Sequence, residues 1–258
     1  MKYTSLLASL ILSILLSACS TNPVTVSMST TRFDNPEVSS EPLSVNLALG
    51  SGSRTILNIE TDDKNFSGTD VYAFARGNIT AAKGLEISIS SDVDSATHIG
   101  IKYQFYGAHA EQSTKGNFSQ AFTLGYERNE TNESYYSGAD YIACESLYCD
   151  SVSGWGYWQH DTDVYDIAWV LGYKLADRDI IYGGPFYQWG QLSGYKNTTN
   201  NSTEPLKSDG YMVGANLAIE HRFSFGLGLA GELVYGNLNW GHYSQNDTSF
   251  NFKIDYQF

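Results

Sequence analysis

The chain has 258 residues, with 15 Lys and Arg against 28 Asp and Glu and a formal net charge of −13. That length suits one domain or one barrel, and the acidic balance excludes a nucleic-acid binder, which needs a basic stripe along the phosphates. Past the N-terminal apolar run no stretch suits a transmembrane helix, so a membrane-spanning form must be a closed β-barrel, the other fold that satisfies every backbone group in lipid.

Residues 1–18 read as a secretion signal. Lys2 supplies the positive charge, and the apolar run Leu6 to Leu16 is too short for a permanent span. Leu16-Ser17-Ala18-Cys19 resembles the lipobox of bacterial lipoproteins. The resemblance implies that Cys19 becomes the acylated first residue of the mature chain. Ser20 stands where an aspartate would, in the enterobacterial pattern, hold a lipoprotein at the inner membrane. The plainer alternative is an ordinary cleaved signal with an incidental cysteine. Residues 19–42 are rich in Ser, Thr, Asn and Pro and show no period, which reads as a flexible lipidated tether.

Residues 43–258 read as strands throughout. Val45, Leu47 and Leu49 open the first, expected to continue past Gly50-Ser51-Gly52 as a bulge toward Glu60. Val71 to Asn78 leads into a turn at Ala81–Gly84, and Leu85, Ile87 and Ile89 follow it. Period-two alternation then recurs at Ile99, Ile101, Tyr103 and Phe105, at Phe122, Leu124 and Tyr126, and from Tyr165 through Ile167, Trp169, Leu171 and Tyr173 to Leu175. Asp179 to Tyr195 is noisier, with Pro185 expected at a bulge. Two more strands carry Tyr211 to Ile219 and Leu227 to Tyr235. Keeping both early strands gives ten and dropping both gives eight; the hairpin-like stretch Val71–Ile89 favours ten.

Connectors alternate in length. Tight turns are expected near Ser224, at Ala176–Asp179 and at Ala81–Gly84, with the longer Ala108–Asn117 on the same side. Long polar loops are expected at Arg128–Thr162, Lys196–Asp209 and Gly241–Thr248. Short turns on one side and long loops on the other suit an outer-membrane barrel, and an even strand number puts both termini in the periplasm.

The last strand alternates Phe250, Phe252, Ile254, Tyr256 and Phe258 with Asn251, Lys253, Asp255 and Gln257, and the chain stops on the aromatic ring. This resembles the C-terminal signal of bacterial outer-membrane β-barrels. With the Ile99–Gly107 strand it carries a resemblance, across about residues 43–258, to small outer-membrane barrels as a broad group. The resemblance implies an all-β, antiparallel, up-and-down transmembrane barrel in the Gram-negative outer membrane. Its partners would be the barrel assembly machinery, outer-membrane lipids and lipopolysaccharide. A lipocalin-like soluble barrel is the competing reading, but the C-terminal helix and Gly-x-Trp signature of that family are missing.

With the apolar face toward lipid, the lumen receives Glu86, Lys102, Glu127, Asp166, Lys174, Glu220, Arg222, Glu232, Lys253 and Asp255. Small residues such as Gly100, Ala121, Gly172, Gly214, Ala218, Gly228 and Ala230 fall on the same face. Charges of both signs in near-balance point to internal salt bridges, because buried charges need partners; ten strands leave room for a narrow water-filled path. With Cys19 acylated, Cys144 and Cys149 remain as a pair expected to be oxidised after export. They carry no zinc-site pattern, and no cofactor is read.

Three functional readings follow. The first is a non-enzymatic barrel, structural or a narrow passive channel. The second is a surface-binding module on the 128–162 segment, where Trp155-Gly156-Tyr157-Trp158 suits adhesion or glycan stacking. The third is a lipid- or peptide-hydrolysing barrel enzyme. For that reading His242 and Ser244 fall on the lumen parity and resemble the His-x-Ser pair of lipid A deacylases, without the Asn-Ala-Gly that follows there. His160-Asp161 offers only a weak likeness to omptin proteases, since adjacent residues point apart. The acidic run Asp161, Asp163 and Asp166 is a candidate for divalent cations or simply a solvated stretch. No extracellular ligand can be read.

Overall fold

The computed structural model describes residues 25–58, 67–92, 96–137, 142–145, 148–151, 154–197 and 203–258. The expected secretion signal and Cys19 lie outside this set. Among the described residues the structure is all-β.

Ten antiparallel strands close into an up-and-down barrel: β2 (Val45–Asn58), β3 (Ser67–Ala82), β4 (Leu85–Asp92), β5 (Thr97–Tyr106), β6 (Phe118–Ser137), β9 (Gly154–Ala176), β10 (Asp179–Asn197), β11 (Thr203–Arg222), β12 (Leu227–Trp240) and β13 (Tyr243–Gln257). Closure runs through β2, which pairs with β3 on one side and β13 on the other. A two-stranded ladder, β7 (Ile142–Glu145) and β8 (Tyr148–Ser151), stands apart from the barrel sheet.

The alternation in the sequence becomes the two faces of the wall. Ile99, Ile101 and Tyr103 are exposed on the outside, while Gly100, Lys102 and Gln104 between them are buried. The same holds for Phe250, Phe252 and Ile254 against Asn251, Lys253 and Asp255. At one end, the turn end, reversals are tight. Gly84 and Gly226 have φ of +76° and +97°, a region side-chain-bearing residues enter at a cost. The longer Ala108–Asn117 connection lies at this end too, where the Lys115 N–H reaches Asp177.

The opposite end differs from expectation. The segments expected as loops at 128–162 and 196–209 are largely strand. β6 and β9 stay laddered from Glu127↔Val164 out to Ser137↔Gly154, roughly 33 Å of further strand. β10 and β11 ladder out to Asn197↔Thr203. The expected 241–248 loop shrinks to a reversal at Gly241-His242, with Trp240 opposite Tyr243. The polar residues that suggested loops are strand residues standing clear of the apolar belt. We call this the arm end. Pro185 also departs from expectation: it sits in register opposite Ala215, its pairing with β9 lapses over Gly184–Pro185 without a change of register, and the β9–β10 register shift lies at Asp179/Ile180.

The largest departure concerns the expected tether. Residues 25–40 are not a free linker but a strap inside the barrel. β1 (Thr25–Ser29) pairs antiparallel with the upper part of β2, Thr25 opposite Asn58 and Ser29 opposite Arg54. The strap then descends to the turn end and reverses at Leu43, whose φ is +67° and whose N–H bonds to the Thr80 carbonyl. Gly50-Ser51-Gly52 is therefore not a bulge: the β2–β3 register runs unbroken through it. It is where β2 leaves β13, paired only over Asn46–Ser51, and takes β1 as its neighbour. Gly52 is needed there because a Cβ would lie 2.3 Å from the Thr31 hydroxyl.

Candidate functional site

The candidate site is the strapped lumen, and the strap's sequence divides it in two. The first part, Thr25-Val26-Ser27-Met28-Ser29, alternates as a strand, with Val26 and Met28 fully buried. They join an apolar cluster with Val164, Leu192, Met212, Leu238 and Trp240 in the arm half of the lumen. The Trp240 ring fits because Gly190 and Gly210 face it; a Cβ at Gly210 would lie 2.4 Å from the ring. The Trp240 indole N–H donates to the Ser208 hydroxyl at 2.7 Å, so its one polar atom is satisfied.

Below Ser29 the strap turns polar. The Thr30 hydroxyl lies within hydrogen-bond reach of the Ser53 and Ser249 hydroxyls. The Arg32 guanidinium meets Asp166 at 2.7 Å and lies over the Phe186 ring, 4.5 Å from its centre. His98 Nε2 is 3.0 Å from the second Asp166 oxygen. The Arg32 and Phe33 N–H groups donate to the two oxygens of Glu232 at 3.0 and 2.9 Å. Phe33 has a φ of +41°, which turns these successive N–H groups toward one carboxylate, as in an anion-binding backbone nest. The Asn216 and Asn251 side-chain amides complete the set at 2.7 and 3.1 Å. Glu232 is 0% exposed, and its four donors replace the water it has lost.

Further down, Asp34 pairs with Arg76 at 2.6 Å, and Lys102 reaches both Glu86 and the Asn35 carbonyl at 2.8 Å. Glu37 accepts from Lys174 at 3.0 Å, from Asn117 at 2.8 Å and from Ser113. Glu220 and Asp255 share Arg222 and Lys253. At the mouth of the turn end, Glu111 accepts from the Ser39 and Ser40 hydroxyls and the Ser40 N–H. Partial burial pushes the Glu111 carboxyl upward, but these hydrogen bonds outweigh it and hold the pKa below the usual carboxylate range. A cavity of about 300 Å³ opens at this end, lined in part by Glu86, Lys102, Lys174, Arg222 and Lys253. A pocket of about 60 Å³ lies between the strap and β3–β5.

The structure places Glu86, Lys102, Glu127, Asp166, Lys174, Glu220, Arg222, Glu232, Lys253 and Asp255 on the inner side of the wall. Sequence reasoning missed the strap's own charges, Arg32, Asp34 and Glu37, and the inward Arg54, Arg76, Asp92 and His98. Two signals were available. A short apolar–polar–apolar alternation, Val26, Ser27 and Met28, stands inside the polar stretch. Gly172 lies where a Cβ would come within 2.5 Å of Pro36, so its smallness makes room for the strap.

The candidate hydrolytic residues do not converge. His242 lies in the exposed β12–β13 reversal, and Ser244 is exposed on the outward parity of β13, not the lumen parity, with Asn237 donating to it at 3.2 Å. The parity correction follows from β13 running unbroken from Tyr243, so even-numbered residues face outward as Phe250 does. His160 is buried, whereas Asp161 pairs outside with Arg128 at 2.7 Å. The acidic run also splits: Asp163 accepts from the Tyr126 hydroxyl, while Asp166 serves Arg32 inside. The side chains of Trp155–Trp158 lie outside the described residues. For the cysteines only the register is described, and it sets Cys144 opposite Cys149.

No protein-family model matches the chain, and no curated protein matches it in sequence.

Proposed function

We propose that the chain is an integral barrel of a Gram-negative outer membrane, non-enzymatic, closed by its own strap, and presenting the β6–β9 and β10–β11 arms beyond the lipid. One observation carries this reading: the wall is apolar outside and ion-paired inside. Outward residues of β9 run from Tyr165 through Ile167, Trp169 and Tyr173 to Leu175, all between 42% and 47% exposed. Ten residues of strand cover about 33 Å, or about 25 Å once tilted, the height of the lipid-facing band in such barrels. Aromatic rings gather at the arm side of the belt, where Tyr126, Tyr165 and Trp189 follow one another at 5.3 and 5.8 Å. Tyr106 and Phe118 pair at the turn end. Such rows suit the two lipid–water boundaries. An apolar surface this continuous far exceeds what a water-soluble monomer exposes.

The structural form of this function is favoured over a passive channel, because apolar side chains pack the arm half of the lumen. Membrane-extracted protein should migrate differently in SDS before and after boiling, and give no conductance steps in planar bilayers. Purified mature protein that stays monodisperse in plain buffer would overturn the membrane reading; steady conductance would restore the channel.

The arm is the surface the barrel has to offer, which keeps binding as a second reading. The Cys144↔Cys149 register favours a disulfide stiffening its neighbourhood, since facing strand positions lie within the Cα separation a disulfide spans. Alkylation of the denatured, unreduced protein should leave both cysteines unmodified, and modification of either would remove that cross-link.

A further inference from the structure

The strap fixes a direction. Phe258 ends at the turn end, its N–H bonded to the Val45 carbonyl, while Thr25 lies at the opposite end of the same β2 strand, across from Asn58. Val45 and Phe258 share one side, as strand parity requires. The described chain ahead of Val45 does not stay there, because it has crossed the whole lumen. Met28 and Trp240 both face Gly190, and Trp240 immediately precedes the β12–β13 reversal at the arm end.

We infer that the segment ahead of Thr25, and with it an acyl chain carried on Cys19, lies on the arm side of the membrane, so that the barrel is threaded by its own N-terminus and anchored in the outer leaflet. This rests on the outer-membrane reading above, in which arms face outward and short turns face the periplasm. Reach decides the leaflet. Cys19 is six residues from Thr25, and six extended residues span at most about 21 Å. The lipid-facing band is about 25 Å tall, and the path must also climb over the rim before descending. The lumen offers no return, since the strap and the apolar cluster around Trp240 occupy it. An inner-leaflet anchor therefore requires the strap to leave the barrel, breaking the Glu232 nest and the Arg32–Asp166, Asp34–Arg76 and Glu37–Lys174 pairs.

The test is cysteine labelling of the full chain in cells with a membrane-impermeant maleimide, in a Cys144→Ser, Cys149→Ser background. Three single variants are compared: Asn22→Cys, His242→Cys in the arm-end reversal and Lys83→Cys in the β3–β4 turn. Heat-dependent gel mobility checks that each is folded. Asn22→Cys should label on intact cells to the same extent as His242→Cys, while Lys83→Cys labels only after the outer membrane is permeabilised. Asn22→Cys behaving like Lys83→Cys, with His242→Cys still labelled, overturns the threading and leaves the membrane reading standing. Shielding of His242→Cys and Lys83→Cys alike on intact cells overturns the outer-membrane orientation and the inference with it. Metabolic labelling with a fatty acid should mark the chain and be lost in Cys19→Ser; a wild-type chain without label removes the lipid from the proposal.

Discussion

The two halves of the lumen are filled by one continuous segment in two different ways. In the arm half, Val26 and Met28 are fully buried against Leu192, Met212, Leu238 and Trp240, a small core of the kind a soluble sandwich would have. In the turn half, Arg32 to Glu37 make directional bonds to Asp166, Glu232, Arg76 and Lys174. Apolar packing tolerates sliding, whereas a carboxylate held by four donors does not. The contrast suggests that the upper half gives the strap its affinity for the lumen and the lower half fixes its register.

Removing the Glu232 carboxylate should have the largest effect. Glu232→Leu strands two backbone and two amide donors inside the barrel. Each stranded buried donor costs about 1–3 kcal/mol, and allowing for partial rehydration the loss should be about 5 kcal/mol. Urea unfolding in detergent micelles measures it, and Glu232→Gln, which keeps one oxygen, should lose less than half as much. Trp240→Ala attacks the other half and should cost about 4 kcal/mol, as for a buried Trp left as a cavity. A clearly larger cost for Trp240→Ala would reverse the comparison and make the apolar half the clamp.

Leu217→Arg tests the outer face instead. Leu217 is 55% exposed and pairs across β11 with Gly183 and Leu233, well inside the apolar belt. Near the bilayer midplane an arginine costs about 2–4 kcal/mol. The loss should be read in lipid vesicles, where the proposed membrane reading has the outward face meeting hydrocarbon. No change there would mean that this face does not touch lipid, whatever the strap does inside.

The wall was legible in the sequence because its signal is periodic and repeated. Residues such as Ile99, Ile101 and Tyr103 declare their face by parity, and the tight turn at Ala81–Gly84 sets the hairpin. The strap was not legible because its period covers only Val26 to Met28 before Thr30-Thr31-Arg32 breaks it. Its remaining residues, Arg32-Phe33-Asp34-Asn35-Pro36-Glu37, have the composition of a solvated linker and become structure only through partners far away in sequence. The arms failed for a related reason. Arg128 to Glu133 is polar on both faces, which in a water-exposed hairpin is compatible with strand and in a sequence reads as loop.

The smallest expected effect concerns where the strap leaves the turn half. Glu111 holds Ser39 and Ser40, and its folded pKa is depressed, so its contribution is present in full above the unfolded carboxylate value, about 4.3, and is lost as pH falls through the lower folded value. Because Glu111 is largely exposed, solvent screens the contribution and global stability should barely change. The local readout is the Ser40 amide, which donates directly to Glu111. Its protection from hydrogen exchange, corrected for the intrinsic pH dependence, should fall with acidification through that window in the wild type. Glu111→Gln should remove the step while leaving the Thr30 amide, which donates to the Ser53 carbonyl inside the barrel, protected throughout. If Thr30 and Ser40 lost protection together, the strap would release as one unit, and its hold inside the lumen would not be independent of the mouth.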